Sequence, residues 1–278
     1  MITYLNDVYG YYSELPVFTK LKGNSSFPLS NSTQVGIEVE VEGYQGIDNP
    51  PPLLDRRWKV VPDGSLRNNG HEFVLRKPMR GKVLENAIDV LGEALPSNAH
   101  ASSNCSVHVH LDVRGSTLTQ FRDLIMGYCF FEDLLFKLGG YHRRNSSFCR
   151  PLCTVSNVGE ICSALDSGEF PRHLISRWCK YTALNLKAVE KYGSVEFRML
   201  EGTTSTSRIS NFINVLLHIK HYADTHGNIY ELVSKEDGDA AKVLDAVFTD
   251  KATREYVNVS EVAQSISTGY MNVKGLLI

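Results

Sequence analysis

The chain lacks the motifs of the common nucleotide-binding, membrane and secreted proteins. Its 278 residues contain neither a G-x-x-x-x-G-K-[ST] loop nor a G-x-G-x-x-G fingerprint, so a nucleotide would have to bind without a P-loop or a Rossmann turn. There is no run of about 18 apolar residues, and we expect no transmembrane helix and no membrane partner. The first ten residues lack the basic and then apolar pattern of a signal peptide, which favours a cytoplasmic protein.

Paired cysteines and excess positive charge are also missing. Six cysteines are present, but none forms a C-x-x-C pair, and no zinc-finger spacing follows Cys149 and Cys153. This pattern favours free thiols in a reducing cytoplasm. The formal net charge is -2, so no basic field points to nucleic acid as a partner. Composition leaves the oligomeric state open.

Hydrophobic periodicity predicts an α+β protein built on a mostly antiparallel sheet. Alternating residues predict strands at 35–44, 58–61, 71–77, 106–113, 181–186 and 194–200. Helical spacing predicts helices at 82–95, 118–139, 207–222 and 240–248, the second behind a Thr117/Gln120 capping box. Residues 1–33 are expected to be irregular, and prolines 50–52 to interrupt regular structure. Residues 34–278 are expected to form a single catalytic domain, with a helical C-terminal part from about 206.

Three of the predicted strands each carry a pair of polar side chains two residues apart. Residues i and i+2 of a strand point to the same face. The pairs are Glu38 with Glu40, His108 with His110, and Glu196 with Arg198. Each pair alone also fits a solvated sheet face or a cross-strand ion pair. Because neighbouring glutamates repel unless a positive charge lies over them, a divalent cation is the simplest partner for the first pair.

Together these strands would present several carboxylates and an imidazole on one face of the sheet. Such a set suits Mg²⁺ or Mn²⁺ better than zinc. Because catalytic Mg²⁺ usually binds together with phosphates, ATP is the co-substrate that this chemistry favours. Glu196 is then a candidate metal ligand, and the fork of donors on Arg198 suits a phosphate.

Weaker candidates lie outside these pairs. Arg143 and Arg144 follow the long helix and are candidate ligands of a substrate carboxylate, although a solvated basic surface explains them equally well. Tyr181 and Asn185 precede Glu196 on the neighbouring predicted strand and could contact nucleotide or substrate.

The order of the motifs resembles one enzyme family. E-x-E, D-G-S followed by H-E, C-S-V-H-V-H-L and S-V-E-F-R, between about Val35 and Leu217, are similar to the amidoligase family. That family belongs to the glutamine synthetase and glutamate–cysteine ligase superfamily of carboxylate–amine ligases. The resemblance implies a curved, mostly antiparallel sheet of the glutamine synthetase type. Its concave face would form the active site, and helices would pack on its convex face.

The resemblance also implies a set of ligands. Six side chains would bind two or more Mg²⁺ or Mn²⁺ ions: Glu38, Glu40, Asp63, Glu72, His108 and Glu196. Glu38 and Glu40 would serve different ions. His110 would contact the nucleotide phosphates, and Arg198 would stabilise the γ-phosphoryl group. Glu42 has no clear counterpart and is left as an outer-shell group.

The activity implied is an ATP- and Mg-dependent ligation. A small-molecule or peptide carboxylate would be phosphorylated to an acyl phosphate, which an amine or amino acid would attack to form an amide or peptide-like bond. Three alternatives stay open at this stage. The protein could be a phosphotransferase of the guanidino-kinase type, a non-catalytic protein that binds metal or nucleotide, or a structural protein with a solvated sheet face.

Overall fold

A sheet of six strands forms the centre of the part of the chain that the computed structural model describes, which comprises residues 3–9, 33–43, 52–68, 70–95 and 98–276. The strands are β1 (Val35–Val41), β2 (Trp58–Pro62), β3 (His71–Leu75), β4 (Ser106–Asp112), β5 (Leu184–Asn185) and β6 (Ser194–Glu201). Their order is β2-β3-β1-β4-β6-β5, and every neighbouring pair is antiparallel. The predicted α+β class with an antiparallel sheet is therefore confirmed.

Helices surround this sheet. The described helices are α1 (Leu5–Tyr9), α2 (Pro52–Arg57), α3 (Gly81–Ala94), α4 (Leu118–Gly139), α5 (Val158–Asp166), α6 (Arg172–Ser176), α7 (Ala188–Tyr192), α8 (Thr206–Thr225), α9 (Ile229–Lys235), α10 (Ala240–Val247), α11 (Lys251–Tyr256) and α12 (Val262–Leu276). Two 3-10 turns cover Tyr141–Asn145 and Leu152–Thr154. None of these helices combines the length and the apolar character that crossing a bilayer requires.

The apolar face of the sheet forms the core together with the long helices. Val35, Ile37 and Val39 are buried on β1, and they alternate with the half-buried Gly36 and Glu38. Helix α4 contacts β6, and α8 contacts β4, so these two helices close the core on the apolar side. This alternation leaves the opposite face of the sheet to polar side chains.

Helix α4 is buried around most of its circumference, because it lies between other elements on several sides. It contacts β6, α5, α8 and α12. Its start confirms the predicted capping box: the Thr117 hydroxyl accepts a hydrogen bond from the Gln120 backbone amide, and the Thr117 amide donates one to the Gln120 side-chain oxygen.

A β-bulge interrupts the pairing of β4 with β6. Val109 pairs with Phe197, but Val107 pairs with Leu200, so the β6 segment between these pairs contains one extra residue. The extra residue breaks the simple alternation and allows Met199 and Leu200 both to be buried. The bulge lies opposite His108, where it re-aims the β6 side chains beside the polar face.

Several sequence-based expectations need correction. The strand expected at 181–186 shrinks to Leu184–Asn185, because the Thr182 amide and hydroxyl both bind the Cys179 carbonyl and form a turn. The N-terminal segment expected to be irregular contains α1, whose Leu5 amide donates to the Ser116 carbonyl, while residues 10–32 lie outside the described residues. Of the prolines expected to interrupt regular structure, Pro50 and Pro51 lie outside the described residues, and Pro52 begins α2, since proline suits the first helical position.

Close packing of α12 on α4 depends on a glycine. A Cβ atom on Gly269 would overlap the backbone carbonyl of Phe130, whereas a Cβ on Gly275 in the same helix would meet nothing within 4 Å. Gly269 therefore permits the two helices to approach each other.

We predict that Gly269→Ala lowers the free energy of unfolding by about 1–3 kcal/mol, because the backbone of α4 has no room to yield. Gly275→Ala is the matched control, and it should be neutral or stabilising by up to about 1 kcal/mol because alanine has the higher helix propensity. Urea unfolding of both variants measures this. Equal effects of the two substitutions would contradict the packing argument.

Candidate active site

The register of the sheet brings the predicted polar side chains into neighbouring rows. Glu38 on β1 lies opposite His108 on β4, and Glu40 lies opposite Glu72 on β3. A second row runs from His110 through Glu196 on β6 to Asn185 on β5. All of these side chains lie on the face opposite the core, so the i and i+2 prediction holds for the strand pairs.

His108 lies at the centre of this face and is almost fully buried. Its Nδ1 is 3.1 Å from Glu38 Oε2 and 3.4 Å from Glu196 Oε1. Its Nε2 is 2.8 Å from the Ser106 hydroxyl oxygen, and that hydroxyl donates to Glu40 Oε2 at 2.8 Å. Since the Ser106 proton points to Glu40, the Ser106 oxygen accepts from His108 Nε2–H, and His108 Nδ1 faces the carboxylates of Glu38 and Glu196.

His110 is held in a similar way at the next position. Its Nδ1 is 3.0 Å from the Ser194 hydroxyl, and its ring meets Tyr192 edge to face with centroids 5.8 Å apart. The other nitrogen, Nε2, is buried, lies 3.5 Å from Glu38 Oε1, and has no hydrogen bond to any described residue. A buried ring nitrogen left in this state indicates a place for a ligand.

Among the described residues, two groups of three side chains have ligand atoms close enough to hold a metal ion. The first is Glu38, His110 and Glu196, and the second is Glu38, Glu72 and His108. Within each group the ligand atoms lie within 4.8 Å of one another. Glu38 belongs to both groups, so the geometry fits two ions that share one carboxylate.

Electrostatics on this face reflect the crowding of acidic groups. Burial, together with the negative charges of Glu38, Glu40 and Asp63, raises the pKa of Glu72 to about 8. Burial acts in the same direction on Glu38, but the hydrogen bond with His108 and the positive charge of His108 and His110 outweigh it and hold the pKa of Glu38 well below its usual range. A cation among these groups would relieve the repulsion that keeps Glu72 protonated.

Burial also opposes ionisation of Glu196, yet the charges of His108 and Arg198 lower its pKa overall. Arg198 Nη1 contacts Glu196 Oε1, and Arg198 Nε donates to the Phe148 carbonyl at 3.3 Å. Asn185 donates to the other Glu196 oxygen, Oε2, at 2.6 Å. In this arrangement Asn185 orients Glu196, which is a different role from the nucleotide contact expected from the sequence.

In the described part of the chain, Glu38 contributes to the lining of two cavities that open on the polar face. Cavity A has a volume of about 280 Å³ and is lined by Gln34, Gly36, Ile37, Glu38, Val74, Leu75, Arg76, Pro78, His110, Asp112, Arg114, Tyr192 and Ser194. Cavity B has a volume of about 370 Å³ and is lined by Glu38, Glu40, Asp63, Ser65, Glu72, Ser103, Asn104, Ser106, His108, Arg143, Ser146, Phe148, Lys180, Tyr181 and Arg198. The carboxylate that both three-residue groups share therefore lies where the two cavities meet.

The structure separates the two arginines that follow the long helix. Arg143 is buried and lines cavity B, as does Tyr181. Arg144 lines neither described cavity; its Nη1 binds Asp133 Oδ1 at 3.1 Å and holds the turn after α4. The expected substrate contact by Arg144 therefore has no support from its position.

Three acidic side chains considered from the sequence lie outside the two three-residue ligand groups. Glu40 and Asp63 line cavity B but belong to neither three-residue group, and the Ser106 amide and hydroxyl occupy one Glu40 oxygen. Glu42 is buried and accepts a hydrogen bond from the Arg67 amide at 2.9 Å, which fixes the loop that carries Asp63. Glu42 thus supports the site from outside the cavities.

Sequence reasoning missed the serines that orient the imidazoles. Ser106 lies two residues before His108, and Ser194 two residues before Glu196. The same i and i+2 rule that paired the other residues would have placed both serines on the polar face. Phe148 and Lys180 of cavity B were also missed, because loop residues carry no periodic signal.

We predict that Glu38→Gln weakens binding of both Mn²⁺ ions by at least about tenfold, because Glu38 is common to the two ligand groups. Glu72→Gln and Glu196→Gln should each weaken the binding of one ion and leave the binding of the other unchanged. Counting free Mn²⁺ by electron paramagnetic resonance during a titration measures this. The control is Glu93→Gln, an exposed glutamate on α3. Two ions bound to Glu38→Gln as tightly as to the parent protein would contradict the shared-ligand geometry.

The raised pKa of Glu72 makes a second prediction for metal-free protein. An acid whose folded pKa lies above its usual value of 4.5 contributes stability that is full below about pH 4.5 and is lost as the pH rises through about 8. The melting temperature in EDTA should therefore fall between about pH 5 and pH 9 more steeply for the parent protein than for Glu72→Gln. Glu93→Gln should retain the parent profile. Parallel profiles for Glu72→Gln and the parent would refute this account.

Comparison with known proteins matches this chain to one protein family. A family model described as "Putative amidoligase enzyme" matches residues 29–220, well over half of the chain. The crystal structure of a bifunctional glutathione synthetase from Pasteurella multocida is similar with a TM-score of 0.40 and 11% identity, over 89% of this chain. This chain corresponds to 52% of that protein's length. No curated protein sequence matches the chain.

The family match spans all six strands and both candidate ligand groups. The glutathione synthetase is too distant to add to it, so the assignment depends on the family model alone. Because that model covers most of the chain, including every strand of the sheet, the protein belongs to the amidoligase family.

Proposed function

We propose that the protein is a carboxylate–amine ligase that uses ATP and Mg²⁺ or Mn²⁺ to form an amide or peptide-like bond through an acyl phosphate. The observation that carries this proposal is the pair of three-ligand groups that share Glu38 between cavities A and B. Membership of the amidoligase family supports the type of reaction. We also propose that the sheet is of the glutamine synthetase type, with the polar face as its concave side.

The residues present fit the divalent ions that the proposal requires. Their donors are carboxylate oxygens and imidazole nitrogens, and the hydrogen bond from His108 Nε2 to Ser106 leaves Nδ1 available as a ligand. Glu38, Glu72 and His108 would hold one ion, and Glu38, His110 and Glu196 the other. When bound, these ions would neutralise the phosphate charge and orient the γ-phosphoryl group.

Cavity A suits the nucleotide. Val74 and Pro78 contribute apolar surface to its lining, and Tyr192, which also lines it, has about half of its surface exposed. An apolar wall beside an aromatic ring suits a base, and His110 at the Glu38 end would contact the phosphates. Asn185 is placed outside the nucleotide contacts, as a positioning residue that donates to Glu196.

Cavity B suits the acid and the amine. Its inner end holds Arg198, whose guanidinium is fixed by Glu196 and by the Phe148 carbonyl. A carboxylate oxygen placed beside Arg198 would attack the γ-phosphorus, and ADP would leave with the electron pair of the broken bond. The amine would then attack the acyl carbon, orthophosphate would depart, and the amine would lose one proton. Arg198 stabilises the charge on the transferred phosphoryl group throughout.

A phosphotransferase of the guanidino-kinase type would use the same face but would stop after the first transfer. It would produce ADP without orthophosphate, so measuring both products distinguishes the two reactions. A non-catalytic binding protein would bind Mg²⁺·ATP and release neither. A structural protein would bind no Mg²⁺·ATP above background.

We predict that Arg198→Lys lowers kcat about 10²–10³-fold, because lysine cannot reproduce the fixed fork of donors at the transferred phosphoryl group. Glu196→Gln should lower kcat at least as much, because it removes both a metal ligand and the partner of Arg198. The assay is orthophosphate release from Mg²⁺·ATP with a matrix of carboxylic acids and amines.

The matched control for the arginine is Arg254→Lys, which affects an ion pair with the exposed Asp245 on the C-terminal helices. That variant should keep the parent kcat within about twofold, as expected for a surface pair. Thermal unfolding checks that all three variants are folded. Full orthophosphate release by Glu196→Gln would show that the assignment of Glu196 to a metal is wrong.

A further inference from the structure

The polar face of β1 continues past the ligand groups as the floor of cavity A. Gln34, Gly36 and Glu38 are two residues apart, so they lie on the same face, and all three line cavity A. The Asp112 amide donates to the Gln34 carbonyl at 3.0 Å, which extends the pairing of β1 with β4 to this residue. Four residues of extended chain place Gln34 about 13 Å from Glu38. Cavity A is therefore a trough with the ligand groups at one end and Gln34 at the other.

Gly36 keeps the middle of this trough open. A Cβ atom at position 36 would lie 3.3 Å from the Cβ atom of His110, which is a tight contact. A larger side chain there would rise from the floor beside the His110 ring and divide the trough. The glycine leaves a continuous path between Glu38 and Gln34 along which an extended ligand can lie.

The side chain of Gln34 has an unsatisfied atom at its end of the trough. Its Oε1 is buried and has no hydrogen-bond partner in the described part of the chain. His110 Nε2, at the Glu38 end of the same cavity, is in the same state. A buried acceptor without a donor costs free energy, and proteins rarely leave one in that state unless a ligand completes it. The proposed reaction gives His110 a role at the phosphates and leaves Gln34 without one.

The arginines that line cavity A together with Gln34 are engaged by other groups. Arg114 donates from Nε and Nη2 to Asp112 at 2.9 and 2.7 Å. Arg76 Nε donates to the Trp58 carbonyl at 3.1 Å. Because the described residues offer no donor to Gln34 Oε1, a donor on the molecule that occupies cavity A is the partner that fits it.

We propose that Gln34 reads the base of the nucleotide in cavity A, where its Oε1 accepts a hydrogen bond from the 6-amino group of adenine. This inference rests on the proposed ligase function, because the ligand groups around Glu38 fix the phosphate end. With the phosphates at Glu38 and the sugar over Gly36, the base reaches the Gln34 end of the trough. The site then takes 6-aminopurine nucleotides and rejects 6-oxopurine nucleotides.

The rejection follows from the atom that each base presents at this edge. The 6-amino group of adenine is a donor, whereas the 6-oxo group of guanine or hypoxanthine is an acceptor. Two acceptors that face each other in a buried site are both left unsatisfied. A purine that has only hydrogen at position 6 makes neither the favourable nor the unfavourable contact. Gln34 Oε1 would therefore distinguish three nucleotides of similar size and equal phosphate charge.

The sides of the trough suit the faces of a purine without selecting among purines. Val74 and Pro78 contribute apolar surface to the lining. The Tyr192 ring is held edge to face on His110, with centroids 5.8 Å apart, and Lys191 Nζ lies 4.8 Å from the Tyr192 ring centre. Apolar and aromatic contacts on the faces of a base provide affinity that every purine shares. Discrimination is left to the edge of the base, where Gln34 lies.

The test compares ATP with inosine triphosphate and with purine riboside triphosphate, which carries only hydrogen at position 6. Binding of each Mg²⁺ complex to the protein is measured by isothermal titration calorimetry without acid or amine. We expect purine riboside triphosphate to bind about 5- to 30-fold more weakly than ATP, as for one lost hydrogen bond. Inosine triphosphate should bind about 10- to 100-fold more weakly than ATP, because its oxygen would face Oε1.

Gln34→Met is the diagnostic variant, because methionine has nearly the length of glutamine but no strong acceptor. ATP should bind to it about 5- to 30-fold more weakly than to the parent protein, and purine riboside triphosphate should change less than about threefold. Gln264→Met, at an exposed position of α12, is the matched control and should keep the parent preference. The melting temperature without nucleotide checks that both variants are folded. The comparison of nucleotides on the parent protein decides the matter even if Gln34→Met folds poorly.

The outcomes separate this inference from the ligase function. Equal binding of the three nucleotides by the parent protein, or tighter binding of inosine triphosphate than of ATP, would overturn the role of Gln34 while the ligase function stands. A folded Gln34→Met variant that keeps the full preference for ATP would do the same. If none of the Mg²⁺·nucleotides binds to the parent protein, the ligase function fails, and the inference fails with it.

Discussion

Repulsion among carboxylates on one sheet face is the constraint on which the rest of the site depends. Glu38, Glu40 and Glu72 lie on two adjacent strands, and Glu40 and Glu72 are directly opposite each other. Like charges opposite each other on a sheet destabilise it unless something compensates. In the protein itself His108 and His110 compensate for Glu38, while Glu72 holds a proton because its pKa is raised to about 8. Under the proposed function, divalent cations would provide this compensation.

Burial of the opposite, apolar face of the same strands offsets the cost of this repulsion. Val35, Ile37 and Val39 are fully buried against the helical layer, and burial of each such side chain contributes about 1.5–3 kcal/mol. The register that buries them also fixes which polar residues become neighbours, because a shift of one residue would exchange the two faces. Core packing and site geometry are therefore two consequences of one strand alignment.

Much of the polar face could be predicted from the sequence, because the two-residue period of a strand places Glu38, His108 and Glu196 on one side whatever the strand order. The bulge opposite His108 could not be predicted, since it depends on which residues of β4 and β6 pair. The positions of loop side chains are even harder to predict from the sequence. Arg143 and Arg144 are adjacent and chemically identical, and only the structure shows that one lines cavity B while the other binds Asp133.

The central claim is that a carboxylate is activated by phosphoryl transfer beside the Glu38 cluster. Oxygen labelling tests it most directly: the acid substrate is labelled with ¹⁸O in its carboxylate and turned over with unlabelled ATP. Attack of a carboxylate oxygen on the γ-phosphorus, followed by attack of the amine on the acyl carbon, predicts one ¹⁸O atom in each orthophosphate released. Orthophosphate that contains no ¹⁸O from the acid, during turnover that forms the amide, would contradict the account.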